Sequence, residues 1–176
     1  LQAAPRGKLR VNAPMSFGFL HVAPALPDFL RLYPDVTVDM AMSDRFVDLV
    51  DEGFDVAIRI GALDDSGLIA RKLAPIRRVI CASPEYLAQR GIPQTPDDLK
   101  SHECLCNTNI ARLHEWRFSE ADGHLWSVDV KGRFSANNGD ALRAAALQGA
   151  GLVNLPTFIV GADVQSEKLV TVLDRF

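Results

Sequence analysis

The 176-residue chain is 48% hydrophobic and 23% charged, with a formal net charge of −3. It is long enough to bury a core as one domain or two small lobes, and its charge balance gives no basic footprint, so the chain by itself is not expected to bind DNA. No apolar run is long enough to span a bilayer, the N-terminal LQAAPRGKLRV lacks a hydrophobic signal region, and three cysteines cannot all pair with one another, which together favour a reducing cytoplasm and no membrane partner.

Residues Lys8–Ala13 read as a short strand that ends before Pro14 and the turn-rich PMSFG. Leu26, Phe29, Leu30 and Tyr33 then fall on one helix face. Pro24 and Pro27 predict an irregular first turn, with the regular helix mainly after Pro24, and Pro34 stops it. Val36–Met42 alternates like a strand. Ser43 suits the N-cap of a second helix carrying Phe46, Leu49 and Val50, with Gly53 at its C′ position and FDVAIRIG as a third strand. Strand–helix–strand–helix–strand at these spacings predicts crossovers feeding a parallel sheet.

The pattern changes after residue 67. Leu68–Ser83 holds two extended segments separated by Pro75. Ser83 and Pro84 open a short helix closed by Gly91, and Thr95, Pro96 and Asp98 repeat that grammar. ECLCN is a strand candidate, and Glu115–Val130 reads as a hairpin turning at Asp122–Gly123. A strand near Arg133–Ala136, an alanine-rich helix, the strand GLVNL, a short helix led by Pro156 and a strand near Leu169–Val172 complete the chain. The division falls near residues 78–83, giving lobes 1–80 and 81–176. Such proteins take ligands at the carboxyl ends of their strands, in a cleft between lobes.

The stretches GKLRVNAPMSFGFLHVAPALPDFLRLYPDVTVDM, DLVDEGFDVAIRIGALDDSGLIARKLAPIRRVICASPEYLAQRG and NNGDALRAAALQGAGLVNLPTFIV, taken in order, resemble the effector-binding domain of LysR-type transcriptional regulators. The resemblance covers nearly the whole chain. It implies an α/β, two-lobed periplasmic-binding-protein-like (type 2) fold with mixed, mostly parallel sheets and flanking helices. It also implies an inter-lobe site for a small-molecule effector, anionic or aromatic, with no cofactor. A homodimer or tetramer is implied, with DNA contacted only through an N-terminal winged helix-turn-helix. That domain and a C-terminal segment returning to the first lobe are expected outside these residues.

Ser16 and Phe17 lie where the first strand enters the first helix, and a serine hydroxyl with helix N-terminal amides suits an anion. A plain N-cap is the competing reading, and the resemblance favours the effector loop. Arg59, late in the third strand, could clamp an anion or pair with Asp64 or Asp65, while Gly61 and Ala62 would line the cleft. Asn137, Asn138 and Gly139 open the alanine helix; one asparagine can cap it, and the resemblance makes the loop a second-lobe wall of the effector site. Pro156 and Phe158 are further ligand candidates, with core packing as the default.

His102, Cys104 and Cys106 alternate, yet no CxxC or HxxxH completes a metal set, so no metal site is expected. No GxSxG, HExxH or P-loop is present, and a catalytic reading would need Cys104 or Cys106 as a low-pKa thiolate, so no catalytic residue or enzyme activity is expected. The alternative function is a stand-alone solute-binding protein of the same fold, against which the unpaired cysteines count.

Overall fold

Strand β1 (Gly7–Ala13) is the centre of a three-stranded parallel sheet in a computed structural model that describes residues 4–45, 49, 51–61, 67–110, 112–119, 123 and 125–176. β2 (Val36–Met42) pairs along its whole length, from Gly7↔Val36 to Ala13↔Met42. β3 (Val56–Ala57) pairs on the other side at Val11 and Asn12. Being central, β1 buries Val11, Asn12 and Ala13.

The helix after β1 starts earlier than its prolines suggest. α1 (Met15–Phe17) runs through a π-helical turn, Gly18–Val22, into α2 (Ala23–Leu32). A proline ring runs into the carbonyl four residues back and offers no N–H to it. The widened turn directly before Pro24 relieves that conflict, and the irregularity is a π turn inside a helix rather than a loop.

The third strand is shorter than FDVAIRIG suggests. Only Val56 and Ala57 form the ladder, flanked by Asp55 N–H to Arg10 O at 2.9 Å and Ile58 N–H to Asn12 O at 2.8 Å. The helix expected between β2 and β3 has Phe46 and Val50 outside the described residues. At its ends, Ser43 Oγ accepts from Arg45 N–H at 3.2 Å, and Phe54 N–H reaches Leu49 O at 2.8 Å across Gly53 with φ +67°, the closing bond of a Schellman cap.

The chain divides into two units at Leu1–Ala74 and Pro75–Phe176, a few residues before the expected boundary at 80. The reason is β4 (Arg78–Ala82), which hydrogen-bonds wholly within the second unit. Residues 68–77, expected to include a second extended pairing segment, form no strand and leave Ile69 and Leu73 exposed.

The second unit is built on a five-stranded sheet in the order β10 (Val170–Val172), β4, β9 (Leu152–Pro156), β5 (Cys104–Asn107) and β8 (Ser135–Ala136). β9, β5 and β8 run parallel, while β4 is antiparallel to both its neighbours. Alternation sorts side chains onto two faces. Ile80, Cys104, Cys106 and Leu152 pack with Tyr86 and Leu87 of α3 (Pro84–Arg90) and with Trp116 and Val128 of the hairpin. Cys81, Leu105, Val153 and Leu155 pack with Leu142 and Ala146 of α4 (Gly139–Leu147) and Val160 of α5 (Thr157–Gln165). Each fully buried leucine or valine contributes about 2 kcal/mol of transfer free energy.

Local signals place the caps as expected. Ser83 Oγ accepts from Tyr86 N–H at 3.2 Å, and Thr95 with Asp98 forms a capping box on the short 3₁₀ helix Pro96–Ser101. Pro156 closes β9 and is the N-cap of α5, not its first residue. The hairpin β6 (Glu115–Ser119) and β7 (Leu125–Asp129) pairs Ser119 with Leu125. Five residues therefore lie between the arms, so a two-residue Asp122–Gly123 turn does not set the register; Asp122 lies outside the described residues.

His102 does not join the cysteines. Tyr86 Oη accepts from Glu103 N–H at 2.9 Å and lies within hydrogen-bond distance of His102 Nδ1, at 3.1 Å. Desolvation lowers the His102 pKa from its ordinary value, partly opposed by Asp98. A folded pKa below the unfolded one of about 6.5 means that the unfolded chain binds the extra proton as pH falls. This contribution is full above about pH 6.5 and is lost as the pH drops through the folded value. The hydrogen-bonded carboxylates of Asp98 and Glu115, whose pKa values are lowered, act only below about pH 4. Denaturant midpoints at pH 7.5 and 5.5 should therefore differ in the wild type and differ less in His102→Asn; equal drops in both would assign the acid sensitivity elsewhere.

Candidate functional site

In the first unit the site candidates gather at the carboxyl end of a parallel sheet, where α/β proteins take ligands. Ser16, 4% exposed, and the half-buried Phe17 form the first helical turn after β1. Gly18 N–H closes onto Pro14 O at 2.7 Å. Met15 N–H donates to Asp44 Oδ1 at 2.8 Å, so the first amide of this helix already holds a carboxylate from the loop after β2. Asp44 was not legible as a partner from sequence, because it lies 29 residues away.

Arg59 turns to the sheet rather than away from it. Its Nη1 donates to Asn12 Oδ1, and Asn12, 1% exposed, sends Nδ2 to Ala41 O at 3.4 Å. Desolvation lowers the Arg59 pKa, with Glu52 opposing. The guanidinium is thus oriented by a buried amide, and Asn12 is a positioning residue that strand alternation did not single out. Gly61 has φ +131° with open space beside its Cα. Ala62 lies outside the described residues.

In the second unit three parallel strands carry asparagines at, just after or within two residues of their carboxyl ends. Asn107 closes β5, Asn137 and Asn138 follow β8, and Asn154 lies near the end of β9. Asn138 Oδ1 accepts from Ala141 N–H at 3.0 Å and caps α4. Asn137 is exposed, and its carbonyl accepts from Asn109 Nδ2 at 2.6 Å, while Asn107 Oδ1 accepts from Asn109 N–H at 2.9 Å. So one asparagine caps, its neighbour is tied to the loop after β5, and Gly139 is buried beneath them. The repeated asparagine at successive strand ends is the signal that identifies Asn107 and Asn109. Pro156 is buried directly opposite Arg78 in the β4–β9 ladder, and Phe158 is half-buried in α5.

The cysteines are unsuited to nucleophilic work. All three are buried, and burial pushes Cys81 and Cys104 up to about 12 and raises Cys106, the opposite of an activated thiolate. Among the described residues no group of three or more His, Cys, Asp or Glu side chains lies close enough to hold a metal. Among the described residues no helix is long and apolar enough to cross a membrane.

Comparison with known proteins bears on this arrangement. The family model for the LysR substrate binding domain matches residues 2–176. An uncharacterized HTH-type transcriptional regulator of Haemophilus influenzae is 35% identical over 176 residues, covering 100% of this chain and 61% of the relative. The regulatory domain of CrgA, a LysR-type transcriptional regulator from Neisseria meningitidis, superimposes with a TM-score of 0.82 at 36% identity, covering 96% of this chain and 82% of that one. The full-length Vibrio cholerae virulence activator AphB, a member of the LTTR protein family, gives 0.85 at 28% identity, covering 98% of this chain and 58% of that one. The chain thus spans about three fifths of the length of the Haemophilus relative, and its fold is the two-lobed, type 2 periplasmic-binding-protein-like α/β fold of LysR regulatory domains. By this match over residues 2–176, the chain belongs to the LysR substrate-binding domain family.

Proposed function

We propose that this chain is the effector-sensing part of a LysR-type transcriptional regulator, binding a small anionic or aromatic metabolite and passing its occupancy to DNA-binding domains. The observation that carries the reading is the family match across residues 2–176 together with relatives named as HTH-type regulators. The net charge of −3 and the absence of a basic footprint fit a protein in which DNA is contacted through another domain. The assembly in this reading is a cytoplasmic homodimer or tetramer without catalytic activity. A ligand transmits a signal only if it binds two conformations with different affinity.

Within the first unit the anion-binding candidates are Ser16, Phe17, Arg59, Gly61 and Ala62, and within the second unit the ligand candidates are Asn137, Asn138, Gly139, Pro156 and Phe158. The buried hydroxyl of Ser16 and the amide-oriented guanidinium of Arg59 support this assignment. A thermal-shift screen of small carboxylates, aromatic acids, sugars and amino acids should yield an acid that raises the melting temperature. Ser16→Ala should then weaken that acid about tenfold, the worth of one hydrogen bond to a charged group, while the unliganded melting temperature changes little. An unchanged dissociation constant retires the Ser16 assignment.

A further inference from the structure

The helix that leaves β1 carries one residue more than its length requires. Gly18 N–H reaches Pro14 O at 2.7 Å and, at the far end, Tyr33 N–H reaches Phe29 O at 3.0 Å, each across four residues. Between them Ala23 N–H reaches back five residues, to Gly18 O. A π turn of this kind is an α-helix with a single residue inserted. Pro24 keeps it open. Ala23, the α-helical donor to Phe19 O, is engaged one residue earlier, and Pro24 has no N–H to give to Phe19 or Leu20.

Packing holds the inserted residue weakly. Phe19, inside the turn, is 67% exposed. The helix is fitted to its surroundings at Gly18, which is buried. A Cβ there would lie 3.0 Å from both Met42 Cγ and Met42 Sδ and 3.3 Å from Ala13 Cβ. Glycine thus marks where the helix passes the end of β2, and what it meets first is a flexible, partly exposed methionine. Two contacts hold this register: Met15 N–H on Asp44 Oδ1, and the rings of Phe17 and His21, 5.0 Å apart.

We propose that the π turn is a register joint, in which the inserted residue passes toward the N-terminal end of the helix. Residues 15–18 then turn by about 100° and advance by about 1.5 Å, while β1 and α2 stay where they are. In the second register Phe19 takes the place of Gly18. Its exposed ring becomes covered, and Met42 swings aside to admit it. Met42 therefore sets the balance between the two registers. One helix with two discrete settings is the kind of element that carries a conformational signal, and this one moves the buried Ser16. The joint itself does not depend on the sensing role proposed above.

Amide-nitrogen relaxation dispersion on the 176-residue chain tests this, because helix register shifts fall in the microsecond-to-millisecond window and prolyl isomerisation is far slower. Amides of residues 15–19 should show exchange, and those of residues 28–32 should not. Met42→Ala, which makes room for Phe19, should enlarge the dispersion amplitudes. Deleting Phe19 together with Pro24→Ala removes both the inserted residue and the ring. That chain should form a regular α-helix, melt no lower than Pro24→Ala alone and lose the exchange. Deleting Asp28 from α2, where no residue is spare, should instead destroy the fold of the first unit. Flat profiles for residues 15–19 in both wild type and Met42→Ala overturn the proposal. So does exchange that Met42→Ala leaves unaltered, exchange that survives the Phe19 deletion, or a deletion chain that melts below Pro24→Ala.

Discussion

Gly132→Ala is expected to abolish stable folding of the second unit, with a loss of about 4 kcal/mol or more, placing it among the most damaging single substitutions. A Cβ at residue 132 would lie 2.0 Å from Cys104 O and 2.8 Å from Cys104 C. Those are backbone atoms, so no rotamer change relieves the clash. Nor can the strand retreat: β5 is paired with β9 on one side and β8 on the other, Cys104 is 0% exposed, and Cys104 N–H is bonded to Lys131 O at 2.8 Å. Across the strand the same device recurs at Gly151, where a Cβ would meet Glu103 O at 2.3 Å beside the Leu152 N–H to Glu103 O bond of 2.8 Å. The first residues of β5 are therefore pinched between two glycines, and Gly151→Ala should behave alike. Soluble yield and denaturant midpoint decide the matter. A Gly132→Ala chain within about 1 kcal/mol of wild type would show that the strand has room that this packing denies.

Neither glycine's role was visible in the sequence, and the reason separates what can be read locally from what cannot. Ser83, Thr95 with Asp98, and Asn138 were legible as caps because the groups they bond are three residues away. The order of strands and helices was legible for the same reason, since alternation and helical spacing are properties of short windows. Leu68–Ala74 misled the reading because an apolar, β-prone run becomes a strand only beside an edge that accepts it. The short β3 and the register across the hairpin were set by partners, not by the residues themselves. In the candidate site, the loops at Ser16 and Asn137–Gly139 were legible from helix-start chemistry. Asp44 on the Met15 amide, Asn12 beneath Arg59 and Asn154 beneath Arg78 were not, because each is a contact across 29, 47 or 76 positions.

The pair Arg143–Asp163 should be the most costly to break among the ion pairs described here. Asp163 is 4% exposed on α5, and Arg143 of α4 grips it through both Nε and Nη2, the latter 2.8 Å from Oδ1. Every other pair described here has at least one side chain more than half exposed, and in Lys8 with Asp39 and Lys100 with Asp97 both are; exposed pairs contribute at most about 1 kcal/mol. Removing one partner of a buried pair leaves a charge in a poorly solvated place, which costs about 3–5 kcal/mol when both are fully buried. Arg143 keeps a third of its side chain exposed, so Arg143→Met is expected to cost about 3 kcal/mol, the lower end. Replacing both groups by apolar side chains of similar volume removes the stranded charge along with the attraction. Arg143→Met/Asp163→Leu should therefore be more stable than Arg143→Met alone by about 2 kcal/mol, a coupling that a double-mutant cycle on denaturant midpoints reads directly. Additive losses would mean that α4 and α5 are joined by the apolar contacts of Leu142, Ala146 and Val160, with the ion pair merely resting on them.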